Sequence, residues 1–178
     1  MYLINANIIE AKIALAQSSL QHWLTNELFT LIWWIKIVVL VVLIWVWFKF
    51  VDKKRLHEIL TYGLLVSLIC LVFDSIGTSY VLWIYPIRLL PVEFSDIHDL
   101  ALFPVLYTLI YQRYATWKPF IIANTILAAF LSFPGEIVAT WLHYYQPITW
   151  EHIYSFPIYI CIAIFCKWVV LKILANAK

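Results

Sequence analysis

Between Phe29 and Leu174 the chain runs through long apolar stretches broken only by short polar connections. A helix needs roughly 20 mostly apolar residues to cross the hydrocarbon layer of a bilayer. Stretches of that kind extend from Phe29 to Phe50, Ile59 to Tyr85, Phe120 to Tyr144 and Ile153 to Leu174. A shorter one, Leu100 to Gln112, would cover only about 20 Å as a helix. Charged residues make up 12% of the chain and hydrophobic residues 65%, whereas a soluble domain carries about 25% charged residues. A soluble domain of this size would leave much of that apolar surface in water. The sequence therefore predicts one all-α integral membrane bundle of about five transmembrane helices over residues 29–178.

Residues 1–28 differ in kind. Ile9, Ile13, Leu20 and Leu24 recur at helical spacing among Glu10, Lys12, Gln17 and Gln21, which predicts an amphipathic helix on the membrane surface or packed against the bundle. The segment lacks the basic start, apolar core and small-residue cleavage site of a signal peptide. Of the 12 lysines and arginines, only Lys12, Lys36 and Arg88 fall on the side of the N-terminus when the chain is threaded through five spans. The positive-inside rule then predicts a cell-membrane protein with its N-terminus outside and its C-terminus in the cytoplasm.

The chemistry-bearing residues are few. Lys36 lies in the first span, Asp74 within FDSIGTSY in the second and Glu136 within SFPGEIVATW in the fourth. All three fall at similar depth, in the outer half. A lone charge there costs several kcal/mol, so such residues face the bundle interior, pair with one another or line a wet cavity. The expectation is that Lys36 neutralises Asp74 or Glu136 and leaves the other acid for function. Ser75, Gly77, Thr78 and Ser79 around Asp74 allow close helix approach. Pro134 and Gly135 before Glu136 predict a kink or opening of the fourth span.

The connection before the third span adds Glu93, Asp96, His98 and Asp99, and His143 and His152 flank the last polar loop. Their spacing is not that of a specific metal site, and a solvated loop capping the third helix with acid satisfies the same residues; no metal or other cofactor is expected. Trp83, Tyr85 and Trp141 stand at span ends, either as an interfacial belt or lining a cavity for an apolar or cationic ligand. The 3 cysteines, Cys70, Cys161 and Cys166, have neither metal nor redox spacing and read as packing residues. No basic run interleaved with aromatics suggests nucleic acid, and no nucleophile or phosphate-loop motif occurs.

The runs FDSIGTSYVLWIYPIRLLP, DLALFPVLYTLIYQRY, FPGE and IYSFPIYI resemble those of an uncharacterised family of small multi-pass membrane proteins from Gram-positive, spore-forming bacteria. The resemblance covers about residues 50–172; it implies fold and location and transfers no catalytic residue. A fainter likeness, over residues 74–93, is to membrane-embedded lycopene cyclases. There an acid is followed by a W-x-Y-like aromatic pair and a P-x-E-E motif; here Asp74, Trp83 with Tyr85, and Pro91-Val92-Glu93 correspond, with Phe94 in place of the second glutamate. That likeness implies acid catalysis by Asp74 or Glu93 on a polyene or epoxide.

Three functions fit these residues. The buried acids bind or relay a proton, a cation or an amphiphile; or Asp74, Glu93 and Glu136 serve a lipid- or terpenoid-modifying enzyme; or the charges only specify assembly of a structural, partner-binding subunit. The first is the reading the intramembrane acids favour, with Asp74, Glu93 and Glu136 as acids and Lys36, Trp83, Tyr85, Asp99, Trp141 and His143 as binding residues. The partners expected are the bilayer, a hydrophobic or amphiphilic small molecule and a second copy of the chain.

Overall fold

A computed structural model describes residues 5–92 and 96–176; Glu93 lies outside them. The chain begins with α1, Ala6–His22, started by Asn5, whose side chain accepts a hydrogen bond from the Asn7 amide at 3.0 Å. None of its residues is buried, and it ends in a wider π turn, Trp23–Glu27, that buries Glu27. After Thr30 caps the next helix, α2 runs from Leu31 to Phe50. It is apolar on every side, so its pattern selects no face; its one buried residue is Lys36.

A short 3-10 turn, Lys53–Arg55, leads into α3, Leu56–Ser79. The helix stops six residues short of the end expected at Tyr85. The chain turns at Val81, whose φ of 54° marks the reversal, and returns as the two-residue strand β1, Trp83–Ile84. The correction matters for function, because it folds Trp83 and Tyr85 back over the end of α3 instead of carrying them away from Asp74. A π turn, His98–Leu102, then opens α4, Phe103–Arg113. The next helix, α5, Trp117–Phe130, passes through a third π turn, Leu131–Gly135, into α6, Glu136–Trp141. Here the Pro134-Gly135 break is taken up by widening the helix. Strand β2, Gln146–Pro147, pairs antiparallel with β1 in the register Trp83↔Pro147 and Ile84↔Gln146, and α7, His152–Asn176, completes the chain.

Among the described residues four helical stretches are long and apolar enough to cross a membrane: Leu31–Phe50, Lys53–Ser79, Trp117–Trp141 and His152–Asn176. The expected third span is α4 with its leading π turn, about 24 Å long as a helix. It is the most enclosed element, packing on α3, α5 and α2. The core lies between α3, α4, α5 and α7, around Tyr62, Tyr107, Tyr111 and Phe120, with Tyr62 stacked on Tyr111 at 4.2 Å. Cys70 and Cys166 are part of it, as packing residues should be, while Cys161 is exposed.

The two ends of the bundle are closed differently. At the end carrying the 51–55 and 114–116 turns, Gln112 donates to the Phe50 carbonyl at 2.8 Å, and Lys167 donates to the carbonyls of Tyr114 and Ala115 at 3.0 and 2.8 Å. At the other end the described residues of the connection, 80–92 and 96–97, are not a solvated loop. Arg88, Leu89, Asp96 and Ile97 are buried, and this segment with residues 142–151 forms a cap over the helices. Arg88 pairs with Glu27 at 2.6 Å and donates to Ser19 Oγ at 2.7 Å, which fastens the end of α1 to the cap.

Candidate functional site

Beneath the cap is a cavity of about 160 Å³, bounded by α3, the head of α4, α6, α7 and both capping connections. Asp74 enters it from α3 and is 7% exposed. Its Oδ1 accepts from Trp83 Nε1 at 3.1 Å, and the Tyr85 hydroxyl lies 3.0 Å from each carboxylate oxygen. The His98 Nε2 atom lies 2.8 Å from Asp74 Oδ2 and 2.9 Å from the Tyr85 hydroxyl. Asp99, next in the same π turn, brings Oδ2 to 3.4 Å from His98 Nε2, yet this oxygen is buried without a hydrogen-bond partner. On the far side of the imidazole, Nδ1 lies 2.9 Å from the Tyr144 hydroxyl. With Nε2 facing two carboxylates, that nitrogen carries a proton, and the direction of the Nδ1–Tyr144 bond follows the protonation state of the ring. Burial, and after it Asp74 and Asp99, raises the Tyr85 phenol well above its ordinary value; burial with Asp96, Asp99 and Asp74 does the same for Tyr144. Both hydroxyls therefore remain donors.

A second acid faces the same cavity. Glu136 opens α6 directly after the π turn, and its Oε2 accepts from His152 Nδ1 at 2.6 Å while Oε1 accepts from the Tyr159 hydroxyl at 3.1 Å. Between the two acids the walls are aromatic: Trp83 meets Trp150 edge-on at 5.0 Å, and Tyr85 lies 5.9 Å from Tyr145. The arrangement is two carboxylate–imidazole pairs across a small apolar chamber. It can hold a polar or cationic group between carboxylates and leave an attached apolar chain against the rings.

Of the residues singled out from the sequence, Asp74, Asp99, Glu136, Trp83 and Tyr85 all line this cavity. Lys36 takes a different partner from the one expected. It pairs with Asp96 and donates to the Ile87 carbonyl, with its ammonium 4.1 Å from the centre of the Tyr144 ring. The reason is the burial of Arg88, Leu89, Asp96 and Ile97 in the connection after α3, which brings Asp96 to α2 and leaves both cavity acids to histidines. Trp141 is 78% exposed and His143 is on the surface, so neither reaches the site. Sequence reasoning left His98, Tyr144 and His152 as loop or span-end residues outside the site and passed over Tyr159. The available signal was a histidine heading each of two helices, one for each intramembrane acid.

No family model, curated protein or solved structure matches this chain.

Proposed function

We propose that the protein is a multi-pass cell-membrane protein that binds a cation or a cationic or polar-headed amphiphile in this cavity, from the outer half of the bilayer. The observation that carries the reading is that Asp74 and Glu136, on separate helices, open onto one aromatic chamber while no lysine or arginine pairs with either among the described residues. In this proposal α4 makes the fifth crossing, the bias of basic residues toward the 51–58 side sets the cap outside and the C-terminus inside, and the likeness to the small membrane-protein family supports the location. A volume of about 160 Å³ is close to a void that takes one benzene ring, so the ligand's headgroup and first few carbons fill it and the tail lies along the bundle. Trp83 and Trp150 report on occupancy. In lipid nanodiscs, titration with a long-chain primary amine should give a saturable change in tryptophan emission. Asp74→Asn and Glu136→Gln should each weaken it about tenfold or more, as expected for losing a buried charged partner. Emission that changes only linearly with added amphiphile, equally in the variants, would overturn the proposal.

A second reading has one observation in its favour. Trp83 and Tyr85 both hydrogen-bond Asp74, which is the grouping that the cyclase likeness implies for an acid and its aromatic partners. In that case membranes containing the protein convert an added polyprenyl substrate, and an unchanged lipid extract excludes it.

A further inference from the structure

The cluster at the head of α4 gathers two acids and one imidazole with no lysine or arginine paired to them among the described residues. Asp74 and Asp99 are both buried around one imidazole. Lys36 is paired with Asp96 and Arg88 with Glu27. The Asp99 Oδ2 atom is left without a hydrogen bond in a residue that is 1% exposed. A buried carboxylate oxygen without a partner is costly, and it is directed at the point where the other two side chains meet.

We infer that Asp74, His98 and Asp99 form a binding site for one divalent transition-metal ion. One oxygen from each aspartate and one imidazole nitrogen lie within 4.8 Å of one another. The two separations from His98 Nε2, 2.8 Å to Asp74 Oδ2 and 3.4 Å to Asp99 Oδ2, bracket the roughly 3.3 Å between neighbouring ligands of a tetrahedral ion with bonds of about 2.0–2.1 Å. Two carboxylates with a neutral imidazole balance a dication. The mixed oxygen and nitrogen set suits Zn²⁺, Mn²⁺ or Fe²⁺ rather than copper(I) or a thiolate-bound ion.

The surrounding hydrogen bonds are those that hold metal ligands in place. Trp83 Nε1 donates to the Asp74 oxygen that does not face the cluster centre, and Ser67 Oγ donates to the Asp99 carbonyl at 2.8 Å. Tyr144 engages the outer nitrogen of His98. With an ion bound to Nε2, the imidazole proton moves to Nδ1 and is donated to the Tyr144 oxygen, so that tyrosine fixes the ring in either state. Three protein ligands leave a position open toward the chamber, where a ligand headgroup or water completes the sphere. This inference rests on the proposed cation- or amphiphile-binding cavity and names what fills its Asp74 side.

The test uses the full chain in nanodiscs, stripped with a chelator and dialysed, then titrated calorimetrically with Zn²⁺ and separately with Mn²⁺. Co²⁺ loading adds visible absorption as a report of coordination. One ion per chain is expected for the wild type. Asp99→Asn and His98→Gln should each abolish stoichiometric binding while helix content by circular dichroism is kept, and Tyr144→Phe should weaken it about 10- to 100-fold. Glu136→Gln, across the chamber, should retain the ion and weaken amphiphile binding about tenfold or more. No stoichiometric ion in a folded wild type, or undiminished binding in folded Asp99→Asn, overturns the site. A bound ion without any saturable amphiphile response leaves the metal site standing and removes the amphiphile reading; the reverse removes the metal site alone.

Discussion

Gly77 carries more of the site than any charged residue's identity reveals. The Trp83 ring lies against it, and a Cβ at this position would overlap the ring atoms Cζ2, Cη2 and Cε2. The close approach is what lets a residue nine positions along the chain donate to Asp74. Gly77→Ala should therefore drive the indole off α3, break the bond to Asp74 and cost about 1–3 kcal/mol, the usual range for overpacking. The expected signature is a lower midpoint of thermal unfolding in detergent together with a red-shifted tryptophan emission. Trp83→Leu in the Gly77→Ala background should recover part of the stability and none of the cavity's ligand response. A Gly77→Ala protein as stable as wild type, with unchanged emission, would mean that the ring does not sit there. Tyr85 acts beside it: with its phenol held protonated by burial and by Asp74 and Asp99, it stabilises the carboxylate only as a donor.

At the scale of the elements, α2 and the three π turns decide how the cavity is enclosed. The pattern of α2 gives it no preferred side, so Lys36 supplies one by reaching the buried Asp96 in the connection that follows α3. Trp33 Nε1 and Trp23 Nε1 reinforce that contact by donating to the carbonyls of Leu89 and Arg88 at 3.0 and 3.1 Å. Breaking a buried pair by removing one partner strands the other charge, at about 3–5 kcal/mol, whereas an apolar pair of similar volume is often neutral. Lys36→Met should accordingly destabilise the protein by that amount in a denaturant titration in mixed micelles. Lys36→Met with Asp96→Leu should lie closer to wild type than either single variant, and strict additivity of the two would refute the pairing. The apolar stretches were legible in the sequence because hydrocarbon thickness fixes the length of an uninterrupted spanning helix. The end of α3 was not, since Val81, Leu82 and Trp83 are as apolar as the helix before them and a turn stabilised by distant pairing with residues 146–147 leaves no local mark. The depth of Asp74 and Glu136 could be read from their place in the spans. Their histidine partners could not, because His98 and His152 stand in polar connections that read equally well as solvated.

For the molecule as a whole, the cap is what separates this fold from a plain bundle. Segments 80–92 and 142–151 are joined by β1 and β2, and the amides of Ile148 and Thr149 donate to the Leu82 carbonyl at 2.9 and 3.1 Å. Trp83, Tyr85 and Tyr145 are buried together beneath them. Solvated connections of this length exchange their amide protons almost at once, whereas hydrogen-bonded backbone over a packed cluster exchanges only through opening. Hydrogen exchange read by mass spectrometry should therefore show peptides over residues 82–89 and 145–149 protected for minutes or longer. In the 51–55 turn the amide of Asp52 is bonded only to the side chain of Gln112, in an exposed bond, and should exchange within seconds. The cap, the aromatic cluster and the pair Lys36–Asp96 form one connected unit, so Lys36→Met should raise exchange in both capping segments while the core of α3 and α4 stays protected. If the capping segments exchange as fast as the 51–55 turn in the wild type, the cavity has no roof, and both Asp74 and Glu136 face solvent.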